Sequence, residues 1–545
     1  MIRRTLDSCC ERGIVGLVLS ALVFSALATG AVRTLEFVVV EWLVAASGLL
    51  WVARTWLEPH RNRLLFPPVG WCLLLFLGYA LFHYVQADVE YTARREVLRL
   101  LVYALLFFVA LNNLHKSEWT QIALYMLVFT GAAIAVYGIV QMIVEAEHVW
   151  HFTRPEQYKG RGSGTFINPN HFAGFLGMLL PLCLASVLTG RISQPMRILL
   201  GYSALLLVGG VAVSMSRGGW ISTSLALAAI VAVLGWRKQF RLRGILLTCI
   251  VLGVIAGFLL LSPFAQGRLR NINKPGTMEH VGSRTELWGA AAAVWKQEKL
   301  LGVGPGHFDH RFPEYRPERL QSRPVRVHND YLNTLVDWGL IGMLLAGLML
   351  GTMVHGIIKS WKYSQRTSSD LSAKTSNRAA FVLGSTAGLG SIALHSFVDF
   401  NLHIPSNAML AATLAGLLAA YIRFATERYW VAVRLPVRLA LTVAVGGVSV
   451  LLMSQALGQA REHARLEASQ AAGSFPDQVK HLEQALEIEP NNFETAGLLG
   501  EIHRRRAADS GSATRKIELR KAAAWLRQAI ALNPYDAYSH ARLGM

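Results

Sequence analysis

Three short stretches hold residue types suited to chemistry on a charged substrate. They are Ser283-Arg284-Thr285-Glu286-Leu287-Trp288, Gly302-Val303-Gly304-Pro305-Gly306-His307-Phe308 and Val327-His328-Asn329-Asp330-Tyr331, all within one polar segment at 263–331. The segment carries ten Lys/Arg between Arg268 and Arg323 against six Asp/Glu. A loop of this length between apolar runs is a functional lid or a small domain of its own. His328 is the candidate general base, because an imidazole titrates near neutral pH. A lone His at a helix start also serves as a cap or interfacial residue, as does its neighbour Asn329. Arg284, with Glu286 and Trp288 on an amphipathic helix expected over 283–298, is a ligand for an anion or part of a solvated face.

Three further groups lie at the ends of apolar runs, where polar residues are costly and tend to mark function. Lys159-Gly160-Arg161-Gly162-Ser163-Gly164-Thr165-Phe166 leads into Asn168-Pro169-Asn170-His171-Phe172. Glycine-rich backbone before a helix start offers N–H groups to an anion, or makes an ordinary re-entry turn; Arg161, Asn168 and Asn170 are the side chains concerned. Ser214-Met215-Ser216-Arg217-Gly218-Gly219-Trp220 places Arg217 at a tight turn between two apolar runs. A guanidinium binds phosphate bidentately and stays charged; the small residues around it argue against simple snorkelling to lipid headgroups. The third group runs from His395 to Pro405. There His395, Asp399 and His403 are spaced by four and share one face if the helix continues, with Asp399 orienting a partner or capping the next span.

The elements that must position these residues are membrane helices. The chain is 545 residues long, 53% hydrophobic and of positive mean hydropathy (+0.37), too apolar for a soluble protein of this size. Apolar runs long enough to cross a bilayer are expected at 13–31, 35–54, 69–86, 97–113, 119–143, 170–189, 196–214, 219–236, 244–262, 332–358, 379–398, 406–423 and 436–455. The fold expected is all-α, a polytopic helical bundle of 12–13 spans. The first run follows Arg3, Arg4 and Arg12 in the manner of a signal peptide, but a retained span is the preferred reading.

The net charge of +19 is explained by the positive-inside rule rather than by nucleic acid. With a cytoplasmic N-terminus, the clusters Arg54/Arg61/Arg63, His115/Lys116, Arg191/Arg197, Arg237/Lys238/Arg241/Arg243, Lys359–Arg378 and Arg423/Arg428/Arg434 all fall inside. Segments 87–96, 144–169, 214–218, 263–331, 399–405 and everything after 456 fall outside, so every chemical group above shares the outer face. The five cysteines, Cys9, Cys10, Cys72, Cys183 and Cys249, imply neither a disulfide framework nor a zinc site.

The chain after 456 is charged, Ala-rich and helical in period. Ala485-Leu486-Glu487-Ile488-Glu489-Pro490-Asn491-Asn492 matches Ala529-Ile530-Ala531-Leu532-Asn533-Pro534-Tyr535-Asp536 at an offset of 44 residues. This is similar to a tetratricopeptide repeat, of period ~34, with a polar insert near Asp509; a plain helical hairpin is the alternative. Four regions result: an N-terminal bundle at 1–262, the loop with the catalytic edge at 263–331, a second bundle at 332–455, and the helical tail at 456–545, whose role would be to bind a protein partner.

Taken together, Gly164-Thr165-Phe166 with Asn168-Pro169-Asn170, Ser216-Arg217-Gly218-Gly219, Arg284 in a long outer loop, Gly302–Gly306 and His328-Asn329 resemble the bacterial O-antigen ligase and O-antigen polymerase superfamily. The resemblance covers most of residues 100–425. It implies an inner-membrane glycosyltransferase acting at the periplasmic face, without metal or cofactor. The donor would be a glycan on undecaprenyl diphosphate and the acceptor a lipid, a glycan or a protein. By the same resemblance Arg217 and Arg284, with Arg161 less securely, hold the diphosphate and His328 activates the acceptor hydroxyl. Asn168, Asn170, Asn329 and Asp399 complete the substrate site. Competing readings are a bicarbonate-type transporter and a non-catalytic envelope scaffold.

Overall fold

The computed structural model describes residues 2–57, 63–235, 281–320, 324–364 and 376–545, with isolated positions 242, 253, 257 and 266. Apart from two of those isolated positions, the span expected at 244–262 lies outside the described residues. The chain is an α-helical membrane protein. Among the described residues eleven helices are long and apolar enough to cross a bilayer.

The helices run in chain order as α1 Ile2–Leu27, α2 Thr34–Leu57, α3 Pro68–Val85, α4 Glu90–Asn113, α5 Ser117–Ile143, α6 Pro169–Thr189, α7 Gln194–Val213, α8 Arg217–Gly235, α9 Val281–Gln297, α10 Asp330–Ser364, α11 Asn377–His395 and α12 Pro405–Ala420. The last span, α13, runs from Leu435 to Ala471 and passes through a π-helical stretch at Thr442–Gly446. The tail continues as α14 Phe475–Ile488, α15 Phe493–Ala508, α16 Ser512–Leu532 and α17 Ala537–Gly544. Among the described residues, extended structure is confined to two short antiparallel ribbons, β1 Arg63–Leu65 with β4 Trp430–Ala432 and β2 His148–Val149 with β3 Phe152–Thr153.

Helix α6 is the centre of the bundle, buried along almost its whole length. It packs against α11 without intervening side chains. A Cβ on Gly384 would meet the Leu182 backbone at 2.6 Å, and one on Gly388 would overlap the Met178 carbonyl. Small residues four apart allow backbones to approach in lipid, where dispersion replaces the hydrophobic effect as the driving force. Helix α11 was expected as a span. It is less apolar than the other eleven and sits inside the bundle, in contact with α6 and α8. Its close antiparallel docking brings its last residue, His395, to the level of His171 in the first turn of α6.

Helix α10 is broken once. Gly339 has φ +63°, and a Cβ there would overlap the Leu300 carbonyl. Segment 299–304 fills the break. Leu340 N–H donates to Lys299 O (3.0 Å), Ile341 N–H to Leu300 O (3.2 Å), Val303 N–H to Val336 O (2.9 Å) and Gly304 N–H to Asp337 O (3.1 Å). Backbone groups freed in the bundle are thereby satisfied by the chain itself. The described part of the expected polar loop, 281–320 and 324–331, is accordingly packed, while 263–280 (apart from position 266) and 321–323 lie outside the described residues. Leu287, Ala291, Val294, Phe308, Phe312, Val327 and Val336 form its own small core.

The boundary expected at 455/456 falls inside α13, so the helix continues across it from the last span into the tail. The two matched turns cap alike: Asn492 accepts from Glu494 N–H and Thr495 N–H, and Asp536 from Tyr538 N–H and Ser539 N–H. Both turns touch the outer rim of the bundle. Arg94 pairs with Glu489, Asn491 Nδ2 donates to Glu90 (3.0 Å), and Tyr535 Oη lies 2.6 Å from both Asp88 and Arg311.

Candidate functional site

The site is built where α6, α8, α10 and α11 end together. At the start of α6, Asn168 acts as a cap, its Oδ1 accepting Asn170 N–H at 2.9 Å. Arg161 is buried at 1% exposure. Its Nε donates to Ser214 O (2.9 Å) and its Nη2 to Asn170 Oδ1 (2.7 Å). The guanidinium expected to bind substrate therefore ties three chain segments together instead.

The turn from α7 to α8 is tight, with Met215 at φ +51° and Ser214 Oγ accepting Ser216 N–H (3.2 Å). Arg217 opens α8 with its side chain exposed. The next residue, Gly218, lies against α11, since a Cβ there would come within 2.8 Å of His395 Cδ2. Ser216 Oγ is 3.4 Å from His395 Nε2. Glycine at this position is what lets the Arg217 backbone reach the end of α11.

Residue 328 departs from ordinary backbone. His328 has φ +54°, a region that costs a non-glycine residue of order 1–3 kcal/mol and persists where the surroundings over-determine it. Both flanks are anchored. Val327 N–H donates to Asn333 Oδ1 (3.1 Å), and Val327 O accepts Trp288 Nε1–H (3.2 Å) from α9. Asn329 Oδ1 accepts Leu332 N–H (3.0 Å), and Asp330 N–H donates to Ser396 O (2.8 Å). Asn329 is thus the N-terminal cap of α10. Two residues upstream, Arg326 pairs with Glu96 of α4 and lies 3.7 Å from Asp337.

These anchors aim the imidazole at Asp399. His328 Nδ1 is 3.3 Å from Asp399 Oδ1, and His171 Nε2 is 3.8 Å from the same oxygen. Phe400 stands edge-on to both imidazoles, 4.7 Å from each. Burial opposes ionisation of Asp399. The hydrogen bond and charge of His328, together with the charges of His171 and Arg284, outweigh it and hold the carboxyl well below the usual carboxylate range. Asp399 Oδ2, His395 Nδ1 and Arg284 Nε are buried with no hydrogen-bond partner among the described residues. Arg284 is close enough for its charge to act on both Asp399 and His395.

The expected His395–Asp399–His403 face does not form. Helix α11 stops at His395, and Asp399 lies in a turn before a short 3-10 segment at 401–403. His403 turns instead to Asp330, 2.7 Å from Oδ1, whose other oxygen accepts from Ser396 Oγ (2.6 Å) and Leu402 N–H (3.1 Å). The fold brings together His328, Asp399 and Arg284, with Arg217 on the adjoining helix start. It adds His171, Phe400, Asp330 and His403. Each of these had a weak sequence signal, a polar or aromatic residue at a span end, but nothing local indicated which would meet.

His307 of the glycine-rich stretch belongs to the frame. Its Nε2 accepts Val89 N–H (3.1 Å) and its Nδ1 lies 2.9 Å from Pro305 O. Burial pushes it down to about 4, so it is neutral at pH 7.

Comparison with known proteins addresses this same region. Residues 202–347 match the family model described as O-antigen ligase. The chain carries an O-antigen ligase domain. The O-antigen ligase match encloses Arg217, Arg284 and His328; Arg161, Asn168, Asn170 and Asp399 lie outside it. A curated relative, an uncharacterized protein of Haemophilus influenzae, is 25% identical over 182 residues. That alignment covers 30% of this chain and 44% of the relative, so the chain spans under half the length of the protein it matches.

Proposed function

We propose that this chain is a membrane glycosyltransferase of cell-surface polysaccharide synthesis, moving a glycan from undecaprenyl diphosphate to an acceptor hydroxyl at the outer face of a bacterial inner membrane. In this topology the N-terminus is cytoplasmic and the tail periplasmic. The observation that carries the reading is the convergence of His328, Asp399 and Arg284 at one end of the bundle, beside the Arg217 turn, in a chain with an O-antigen ligase domain.

The chemistry follows from the arrangement. With Nδ1–H donated to Asp399, Nε2 of His328 is the basic nitrogen. It takes the proton of the acceptor hydroxyl as the oxygen attacks the anomeric carbon. The bond from that carbon to the diphosphate oxygen breaks, and the electron pair leaves on the diphosphate. Arg217 and Arg284 stabilise the charge developing there, a large catalytic term in a partly dry site. Direct attack inverts the anomeric carbon, and neither metal nor cofactor has a role. Asn168, Asn170, Asn329 and Arg161 hold the frame around the substrates. The tail would receive a protein partner.

The test is transfer in proteoliposomes loaded with an undecaprenyl-diphosphate oligosaccharide, comparing wild type with His328→Ala and Arg217→Ala. Longer lipid-linked chains from wild type alone identify a polymerase. Transfer to added lipid A core or to protein identifies a ligase or a protein glycosyltransferase. Equal product from both variants refutes the site. No product from any matched donor favours a transporter or scaffold.

A further inference from the structure

The end of the bundle opposite His328 holds a cavity with basic residues in its wall. Helix α4 runs the whole way between them, 24 residues or about 36 Å at 1.5 Å per residue. Where α4 ends and α5 begins there is a cavity of about 240 Å³, lined by Arg54, Arg63, Asn112, His115, Lys116 and Trp430 among others. The β1–β4 ribbon supplies Arg63 and Trp430 to its wall. Arg423 donates to His115 O (2.6 Å), and Arg438 to the carbonyl of Val433, another lining residue. Against these five cations stand three acids: Asp7 and Glu11 on Arg54, Glu11 also on Lys116, and Glu427 on Arg63. Among the described residues these groups therefore keep a net excess of two positive charges.

Two further observations point to an anionic guest. Helix α5 starts at the cavity with no side-chain cap on its first N–H groups, an arrangement that favours an anion. Trp51 and Trp430 line the cavity and Trp56 lies beside Arg438, as expected at the headgroup level of a bilayer. Near the same ribbon, a separate cavity of about 180 Å³ is bounded by Pro67, Val69, Leu348, Met353, Leu418 and Tyr429, most of them apolar.

We propose that the polar cavity binds a phosphate group, that of an anionic phospholipid headgroup in the inner leaflet. Basic pockets between spans on this side of a membrane suit such headgroups, and the apolar cavity nearby suits an acyl chain. A free phosphate ester has the same recognition chemistry, so the experiment separates the two sources.

The full chain, purified in detergent, is offered dioleoyl phosphatidylglycerol, tetraoleoyl cardiolipin or dioleoyl phosphatidylcholine, and retained lipid is read by native mass spectrometry. Inorganic phosphate and glycerol 3-phosphate are tested in parallel by thermal shift. Wild type should retain the anionic lipids over phosphatidylcholine. The Arg63→Ala/Lys116→Ala variant should retain them about 10–30-fold less, at about one basic charge's attraction for each residue removed. Lys159→Ala, near the other face, should match wild type. Stabilisation by the soluble phosphates alone, lost in the double variant, supports the phosphate site with a free ester as its source. Equal retention of charged and zwitterionic lipid, or no difference between wild type and the double variant, overturns the proposal. Should the double variant not fold, Arg63→Ala decides, since this side chain is 61% exposed.

Discussion

His328 Nδ1 lies 3.3 Å from Asp399 Oδ1, across 71 residues of sequence. The pairing sets the imidazole's orientation, so that Nε2 faces away from the carboxylate. Replacing His328 by Gln or Ala should lower kcat for glycan transfer by about 10²–10⁴, the usual contribution of a general base. Donor KM should change little. The measurement is initial rates in proteoliposomes at saturating donor. Wild-type kcat in the Gln variant would remove His328 from the mechanism.

Asp399 is held well below the usual carboxylate range. A depressed carboxyl stays ionised as long as the pH is above its folded value, and its contribution is lost only as pH falls through that value. Between pH 5 and 8 the residue is charged throughout. The infrared carboxylate band that is lost in Asp399→Asn should then keep its intensity over that window. A band that fades toward pH 5 would show that Asp399 protonates there.

His307 moves the other way in pH. Burial lowers it from an ordinary value of about 6.5 to about 4. The unfolded chain takes up a proton first as pH falls, so the neutral, buried form is stable above pH 6.5 and loses stability between 6.5 and 4. The loss at pH 5 is about 2 kcal/mol. Hydrogen exchange of the Val89 amide, which donates to this imidazole, should show lower protection at pH 5 than at pH 7 after correction for intrinsic rates.

Gly339→Ala tests the break in α10. The left-handed backbone and the overlap with Leu300 O should together cost about 3 kcal/mol or more. The readout is thermal unfolding in detergent. Gly347→Ala, in the same helix with open space around its Cβ, should be neutral or stabilise by about 0.5–1 kcal/mol.

Arg326 and Glu96 have side chains only 10% and 15% exposed. Removing one partner leaves a charge with little water, so Glu96→Gln should cost about 3–5 kcal/mol. Replacing both, as Glu96→Gln/Arg326→Met, should recover part of this. A double-mutant cycle on unfolding free energy measures the coupling. Strict additivity would mean that the pair does not hold the 326–328 strap.

What the chain decides locally could be read from it directly. Apolar runs of bilayer length located eleven of the expected spans, because a helix in lipid must satisfy its own backbone and be apolar outside, although α1, α4 and α13 extend well beyond those runs at one end. Asn168 and Asn492 cap helices through backbone bonds a few residues away, a role the sequence motifs had not singled out. The polar groups at span ends were visible because charge in a bilayer is costly. Which of them meet was not visible. Asp399 reaches His328 and His171, and Arg326 reaches Glu96, only after Gly384 and Gly388 let α11 settle on α6 and after segment 299–304 fills the gap at Gly339. Those contacts join helices far apart in sequence and depend on packing depth and crossing, which hydropathy and periodicity do not encode. The same limit explains Arg161 and the His395–Asp399–His403 spacing. Residue type and interval suggested ligands, whereas tertiary structure directed Arg161 to Ser214 and Asn170, and ended α11 before the trio could share a face.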